Sequence, residues 1–498
     1  MLDKLKATTK NSVIYGFGNM AGKLSGIILL PLYTKYLSIE EFGLIALYEV
    51  IFQLLSILGT FGMKSSLMRY YWDKEYKDHA RESVFNTFLV VVVLSILSLV
   101  LSGIILNTFS QLIFDTRVSL ELNIVFIVST FIRVIADFIL MLLRIQHKAA
   151  KQTRFQLISL VLTVGLTWVF IKYFGLDLVG IFLALGISNL IITFLLFPYL
   201  ARNLLAKLNL AFIKEFFRYG SPLSLASLLT IILVLSDRFI LNHFMDLGVV
   251  GNYSLAYKIT NIIHVIVVTS FMNSYVHVFY REMDKEDSGR FYSKILTYFS
   301  FVIIFMSMLI VVFSSEVIKV LAQTNADYWD SIQLIPYLII GVIIAGIRQI
   351  VVLPLTKDKR TKVISAVTIA ASFLNLGLNF LLIPRFSAIG AALSTNFAQL
   401  FALVYLYAAS RKGSIIHYEI GKIIKCFSVA LALTSLSYFI NDMDLGWRLT
   451  LKALLVVSYF LILYWWNFFE KVELESIYGF WKKWSKISRL RENLKNEM

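Results

Sequence analysis

FRYGSPLSLASLLTIILVLSDRFILNHFMDLGVVGNYSLAYKI, residues 217–259, reads as an apolar helix, a short turn and the start of a second apolar helix, with Arg238 and Lys258 planted inside them. A helix crosses a bilayer core with about 20 predominantly apolar residues; the first half of this stretch supplies such a run, and the second opens one that continues to about residue 279. A cation at the centre of a membrane helix costs roughly 3 kcal/mol on insertion scales, so an intramembrane Lys or Arg marks a functional position by default. Two of them in consecutive spans, beginning near the chain's midpoint, make this hairpin the reference for the rest.

Working outward, the 498 residues are 58% hydrophobic and 16% charged, with a mean hydropathy of +0.76, too apolar for a soluble protein of this length. The chain is expected to be an all-α polytopic membrane protein. A span with its connection takes about 36 residues, which gives about 14 transmembrane helices and no room for a sizeable soluble domain. Continuous apolar runs without alternation disfavour a membrane barrel. The net charge of +16 calls for no nucleic acid, because the cations concentrate in alternate loops and near both ends. That is the positive-inside pattern, and it predicts that both termini are cytoplasmic.

In order, residues 1–200 are expected to form an N-terminal six-helix lobe, with its first span near residues 12–34 and its second near 43–62. Residues 201–218 read as an amphipathic cytoplasmic connector helix, and 219–410 as a C-terminal six-helix lobe. Residues 411–470 add two further spans. The stretch 471–498, with WKKWSKISRLR, reads as a basic amphipathic tail that lies against membrane lipid.

The two lobes are expected to be pseudo-symmetric, since the sequence repeats itself. Laying LPLYTKYLSIEEFGLIALY over RFILNHFMDLGVVGNYSLAY pairs Gly43 with Gly251 and Leu47 with Leu255, and LDLVGIFLALGISN over FSAIGAALSTNFAQ pairs Gly180 with Gly390 at nearly the same offset. An offset of six helices keeps the halves in the same orientation, with a central cleft that opens alternately to each side.

LLPLYTKYLSIEEFGLIALYEV, SDRFILNHF, VGNYSLAYKI and IGAALST together resemble the polysaccharide-export branch of the multidrug/oligosaccharidyl-lipid/polysaccharide exporter superfamily, over nearly the whole chain. The resemblance implies a flippase for undecaprenyl-pyrophosphate-linked oligosaccharide, such as an O-antigen or capsule repeat unit, in the bacterial cytoplasmic membrane. It also implies two lobes around a cationic cavity, with glycan polymerase or glycosyltransferase machinery as candidate partners. The last two helices would be an addition found in some members.

The residues carry their own chemistry beside that likeness. Asn19 and Lys23 share a face of the first span, and Glu49 heads a polar face of the second. Lys258 and Asn261 fall on one stripe of the eighth span, while Tyr337, Gly341 and Arg348 form a stripe of the tenth. Lys and Arg suit a diphosphate because they offer charge-assisted donors, so Lys23, Arg238, Lys258, Arg348, Asn19 and Asn261 are candidates for a diphosphate and sugar cavity. Glu49 and Asp237 are candidates for ion coupling or gating. A Lys23–Glu49 pair that only ties two helices together is the competing structural reading. Adjacent on a helix, Asp237 and Arg238 point about 100° apart and are not expected to pair across one face, so one of them should seek a partner elsewhere, whereas Arg133 and Asp137, at i and i+4, read as a structural ion pair.

Cys426 is the only cysteine, the six histidines show no ligand spacing, and no phosphate-binding Gly-rich loop or Ser/His/Asp constellation occurs. No metal, cofactor or catalytic residue is therefore expected, and the chain reads as a transporter and not an enzyme. Two alternatives stand beside the oligosaccharide flippase: a cation-coupled multidrug antiporter of the same fold, and a peptidoglycan lipid-precursor flippase. The antiporter needs deep acids, yet deep cations outnumber them. Glu49 stands where the peptidoglycan branch would want a cation.

Overall fold

The computed structural model of the chain describes residues 26–73, 76–282, 288–411 and 416–470, with residue 475. No strand occurs among the described residues, and twelve of their helices are long and apolar enough to cross a membrane. The first half runs through α1 (Leu30–Tyr36), α2 (Ile39–Thr60), α3 (Met63–Tyr70), α4 (Ala80–Phe114), α5 (Leu120–Ile145), α6 (Ala149–Lys172) and α7 (Asp177–Arg202). Then come α8 (Leu210–Phe244), α9 (Leu247–Ile263), a π-helical segment (His264–Thr269), α10 (Ser270–Glu282), α11 (Ser288–Val312), α12 (Ser314–Leu321) and α13 (Ser331–Val351). The short α14 (Leu353–Lys357), α15 (Thr361–Arg411), α16 (Ile420–Tyr438) and α17 (Leu445–Trp465) complete the order.

One element differs from the sequence reading. The expected connector is not a helix of its own: after a non-helical stretch, α8 runs unbroken from Leu210 through Gly220 and Pro222 to Phe244. Its start is fixed by Asn209, whose side chain accepts from the amides of Ala211 and Phe212. In α15, 51 residues would span about 75 Å as one rod, twice a bilayer core. Ser387, at φ 52°, breaks it into two legs. Most of the first expected span and the basic tail lie outside the described residues.

Contacts divide the chain into two compact units, residues 1–281 with 314–413, and residues 282–313 with 414–498. In the first unit, α2 and α9 begin with the same device at equivalent places in the repeat. Ser38 accepts from the Glu41 amide at 3.2 Å while the Glu41 carboxylate accepts from the Ser38 amide at 2.8 Å, and Asp246 accepts from the Val249 amide at 2.8 Å. One turn further on the two helices cross with no room for a side chain. A Cβ on Gly43 would lie 2.1 Å from the Leu247 carbonyl oxygen, and one on Gly251 would lie 2.2 Å from that of Ile39. The contact is reciprocal, each glycine facing the residue four before the other, as a two-fold relation between the halves requires. Lipid tails are as apolar as leucine, so such close approach of backbones, and not hydrophobic burial, is what joins membrane helices. A second crossing closes the other end of α2, where Gly62, at φ 80°, meets Gly220 of α8, and the Ser66 hydroxyl donates to the Phe216 carbonyl at 2.6 Å.

In the second unit, α11 packs against α16 and α17. Lys294 lies 3.0 Å from Glu419 and also pairs with Glu470, while Lys422 reaches both carboxylates at 3.3 Å. The hydrogen bond from Lys294 chiefly holds the Glu470 carboxyl below its ordinary range. Burial would raise Glu419, but hydrogen bonds from Lys294 and Thr297 outweigh it and leave that carboxyl low as well.

Candidate functional site

A cavity of about 510 Å³ lies within the first unit, walled by α2, α5, α6 and α7 on one side and by α8 and α9 on the other. Arg133, Arg238 and Lys258 all line it, with Asn261, and Glu49 is the one carboxylate on the wall among the described residues. The consecutive helices α8 and α9, and α5 about 100 residues before them, thus bring cations to one space. Asn19 and Lys23, predicted for the same space, lie outside the described residues.

Lys258 donates to Glu49 at 2.5 Å, joining α9 to α2 across the two halves of the repeat. The ammonium is 16% exposed and the carboxylate 50%, so the pair sits at the cavity surface, where such a bridge is worth about 0–1 kcal/mol. It is easily broken. The Lys23–Glu49 tie considered from the sequence lies outside the described residues.

Arg238 is held differently. Its guanidinium lies 3.0 Å from Asp237, against the expectation that neighbours on a helix do not pair. The long arginine side chain bends back along the helix, and Asp237 is fixed for it: one carboxylate oxygen also accepts the Arg238 amide at 2.9 Å, and the other accepts the Tyr253 hydroxyl at 2.6 Å. Asp237 and Arg238 are both buried, and the guanidinium lies 4.6 Å from the centre of the Tyr257 ring. Asp237 is taken up by this clamp and does not line the cavity.

Arg133 and Asp137 do not form the expected ion pair. The Arg133 guanidinium stacks instead on Phe52, 4.0 Å from the ring centre, and Asp137 acts electrostatically on Lys64 at the start of α3. A guanidinium stacked by its face keeps its in-plane donors for a ligand. Arg348 is also not where its stripe was expected to point. Gly341 of that stripe packs against Asn396 of α15, whose amide donates to the Tyr337 carbonyl at 2.8 Å, so this face of α13 is turned to another helix and Arg348 is not on the cavity wall. Sequence reasoning missed Tyr257 and Phe52 as the aromatic supports of the two arginines. Tyr253, Tyr257 and Asn261 fall at i, i+4 and i+8, and that spacing was the signal.

The fold has known counterparts. A family described as "Polysaccharide biosynthesis protein" matches residues 8–283. No curated protein sequence matches the chain. Among solved structures, a lipid II flippase, MurJ, in an inward closed conformation superposes with a TM-score of 0.75 at 14% identity, over 90% of this chain and 97% of that one. An inward-facing multidrug resistance MATE transporter of the MOP superfamily gives 0.60 at 16% identity over 83% and 96%, and its outward-facing form gives 0.58 at 16% identity over 82% and 95%. At such identities these likenesses speak for the fold, that of membrane transporters. Taken with the family match across the first lobe and α8 to α10, they place the chain in the polysaccharide biosynthesis protein family, built on the transporter fold of the MOP superfamily.

Proposed function

We propose that the protein is a flippase for undecaprenyl-pyrophosphate-linked oligosaccharide, an O-antigen or capsule repeat unit, in the bacterial cytoplasmic membrane. The observation that carries this reading is the convergence of Arg133, Arg238 and Lys258 on one cavity against a single wall carboxylate among the described residues, Glu49. A diphosphate entering there takes Lys258 from Glu49, since it offers more charge and more acceptor oxygens than one carboxylate. Arg238, clamped by Asp237, is a fixed donor that does not have to be ordered on binding. Arg133 approaches from the other half, and the Phe52 and Tyr257 rings offer flat faces to sugars. Transport follows if the two glycine crossings part in turn, opening the cavity to one side and then the other. Glu49, released from Lys258 on each cycle, is the gate. Asn19 and Lys23 are further candidate donors, and Arg348 joins the set only in a conformation that brings it to the cavity. In the cell the substrate comes from glycosyltransferases and passes to glycan polymerase machinery.

A lipid II flippase is the second reading, favoured by the higher TM-score of that neighbour and by a headgroup that shares the diphosphate. The antiporter reading has less support, because the cavity wall carries three cations and one acid among the described residues.

The test uses proteoliposomes and fluorescent lipid-linked oligosaccharide, with expression and insertion held equal. Each charge-assisted hydrogen bond is worth about 1.5–3 kcal/mol, so Lys258→Gln and Arg133→Gln should each slow flipping about 10- to 100-fold. Glu49→Gln should tighten pyrophosphate binding while slowing turnover. Wild-type rates in both cation variants would sink the reading, and faster flipping of lipid II than of oligosaccharide-linked lipid would favour the second one.

A further inference from the structure

A recess of about 480 Å³ lies between α1, with the turn that leads into it, and α6. Two features of the sequence make room for it. α1 begins after Leu29 with Pro31 in its first turn, where proline's missing amide interrupts the hydrogen-bond ladder from the turn before. On the α6 wall Gly165 adds no side chain, and a Cβ there would meet nothing within 4 Å. The floor is apolar, formed by Ile28, Leu32 and Val164, and Ile28 and Trp168 are 49% and 41% exposed, so the recess opens toward lipid. Along α6 it extends from Val164 to Lys172, about 12 Å of helix. Lys35 of α1 and Lys172 of α6 stand at its rim. Both ammoniums lie over aromatic rings, Lys35 at 5.5 Å from the centre of Tyr36, and Lys172 at 4.6 Å from that of Trp168 and 5.3 Å from that of Tyr173. No carboxylate lines the recess among the described residues. The positive-inside pattern assigns these helix ends to the face opposite the cytoplasm, where Lys and Arg are scarce, so topology does not account for two lysines meeting there.

We infer that the recess between α1 and α6 binds one anionic phospholipid of the outer leaflet, its phosphate held between Lys35 and Lys172 and an acyl chain laid along Ile28, Leu32 and Val164. Cations at the rim, aromatic rings beside them and apolar side chains beneath follow the order of a phospholipid from headgroup to chain. A free phosphate ion would leave the apolar floor unused. A zwitterionic lipid brings its own cation to the rim, where the two ammoniums repel it. Moving a chain from bulk lipid to the floor gains little, because both surroundings are apolar, so selection rests on charge-assisted hydrogen bonds to the headgroup. Bound there, the lipid ties α1 to α6 across a gap that their own side chains leave open, and so favours the conformation in which the two helices stand this far apart. Such a site is independent of what the cationic cavity transports.

The test places the full chain in phosphatidylcholine vesicles with a small share of phosphatidylglycerol that carries a diazirine in its acyl chain, near the glycerol. Adducts should concentrate on Ile28, Leu32 and Val164. Unlabelled phosphatidylglycerol should displace the probe, and inorganic phosphate should not. Lys35→Gln and Lys172→Gln should each cut this labelling about tenfold, the loss of one charge-assisted hydrogen bond, while Lys35→Arg keeps it. Gly165→Leu, which fills the floor and leaves both charges in place, should abolish it, so the site is tested by two routes with different effects on folding. Lys319→Gln, which removes a lysine lying over Trp329 outside the recess, should leave labelling unchanged. Adducts spread evenly along the lipid-facing sides of α4 and α6, or labelling in Gly165→Leu and both glutamine variants equal to wild type, overturn the site. Displacement by inorganic phosphate, or by undecaprenyl phosphate in preference to phosphatidylglycerol, overturns the phospholipid as its occupant.

Discussion

Arg238 carries a charge into the bundle and brings its own neutraliser one residue away. The arrangement is satisfied at every visible point: Asp237 bonds the guanidinium, the arginine amide and the Tyr253 hydroxyl. Removing one member of a buried pair costs about 3–5 kcal/mol, because it strands the other charge. Asp237→Asn should therefore lower thermal stability in detergent by that order, and the double variant Asp237→Asn with Arg238→Met should recover most of it; a single variant as stable as wild type would show that the clamp is not structural. The sequence made both residues visible as costly intramembrane charges. It hid their pairing, because the 100° rule describes where Cα–Cβ bonds point and not how far an arginine can fold back. Lys258 was legible for a simpler reason: it is one charge on a polar stripe of an otherwise apolar helix, and its partner acid, Glu49, stands on the repeat-related helix.

At the level of elements, long apolar runs made the spans readable to within a few residues at most boundaries, as with the second span, read near 43–62 and observed as Ile39–Thr60. Which polar face met which neighbour was not readable. The α13 stripe looked as exposed to a cavity as the α9 stripe did, and only packing of Gly341 on Asn396 separates them. The π-helical segment His264–Thr269 likewise shifts the register of residues beyond it, and the Thr269 hydroxyl donates back to the His264 carbonyl there, so the stripe that holds Lys258 and Asn261 does not continue straight past it. The crossing glycines make the sharpest prediction at this scale. Gly43→Ala or Gly251→Ala drives a methyl group into a carbonyl oxygen and should cost about 1–3 kcal/mol or more. Gly165→Ala and Gly377→Ala, where nothing lies within 4 Å, should instead stabilise by up to about 1 kcal/mol. Thermal unfolding of the four variants side by side decides it, and equal behaviour would dismiss the crossing.

At the scale of the molecule, the grouping of α11 with α16 and α17 had no signature in the sequence, since hydropathy marks a span without naming its partner. Its ion network carries a pH dependence of definite sign. Glu419 and Glu470 are held below the ordinary carboxyl value near 4.5, so their contribution to stability is present above that value and is lost as pH falls through their lowered values. Hydrogen exchange in α16 should accelerate as pH drops below about 4.5, after correction for the intrinsic rate, and Lys294→Met should abolish that step. In the first unit the two ends of α2 tell a mechanical story. At each, peptide backbone rests on peptide backbone, with side chains beside the contact, such as Ser66 bonded to the Phe216 carbonyl and Phe61 packed on Phe217. Such a contact resists separation weakly and rotation hardly at all, which makes each end a fulcrum: while one stays seated, the whole helix can swing about it like a lever, and the far end travels farthest.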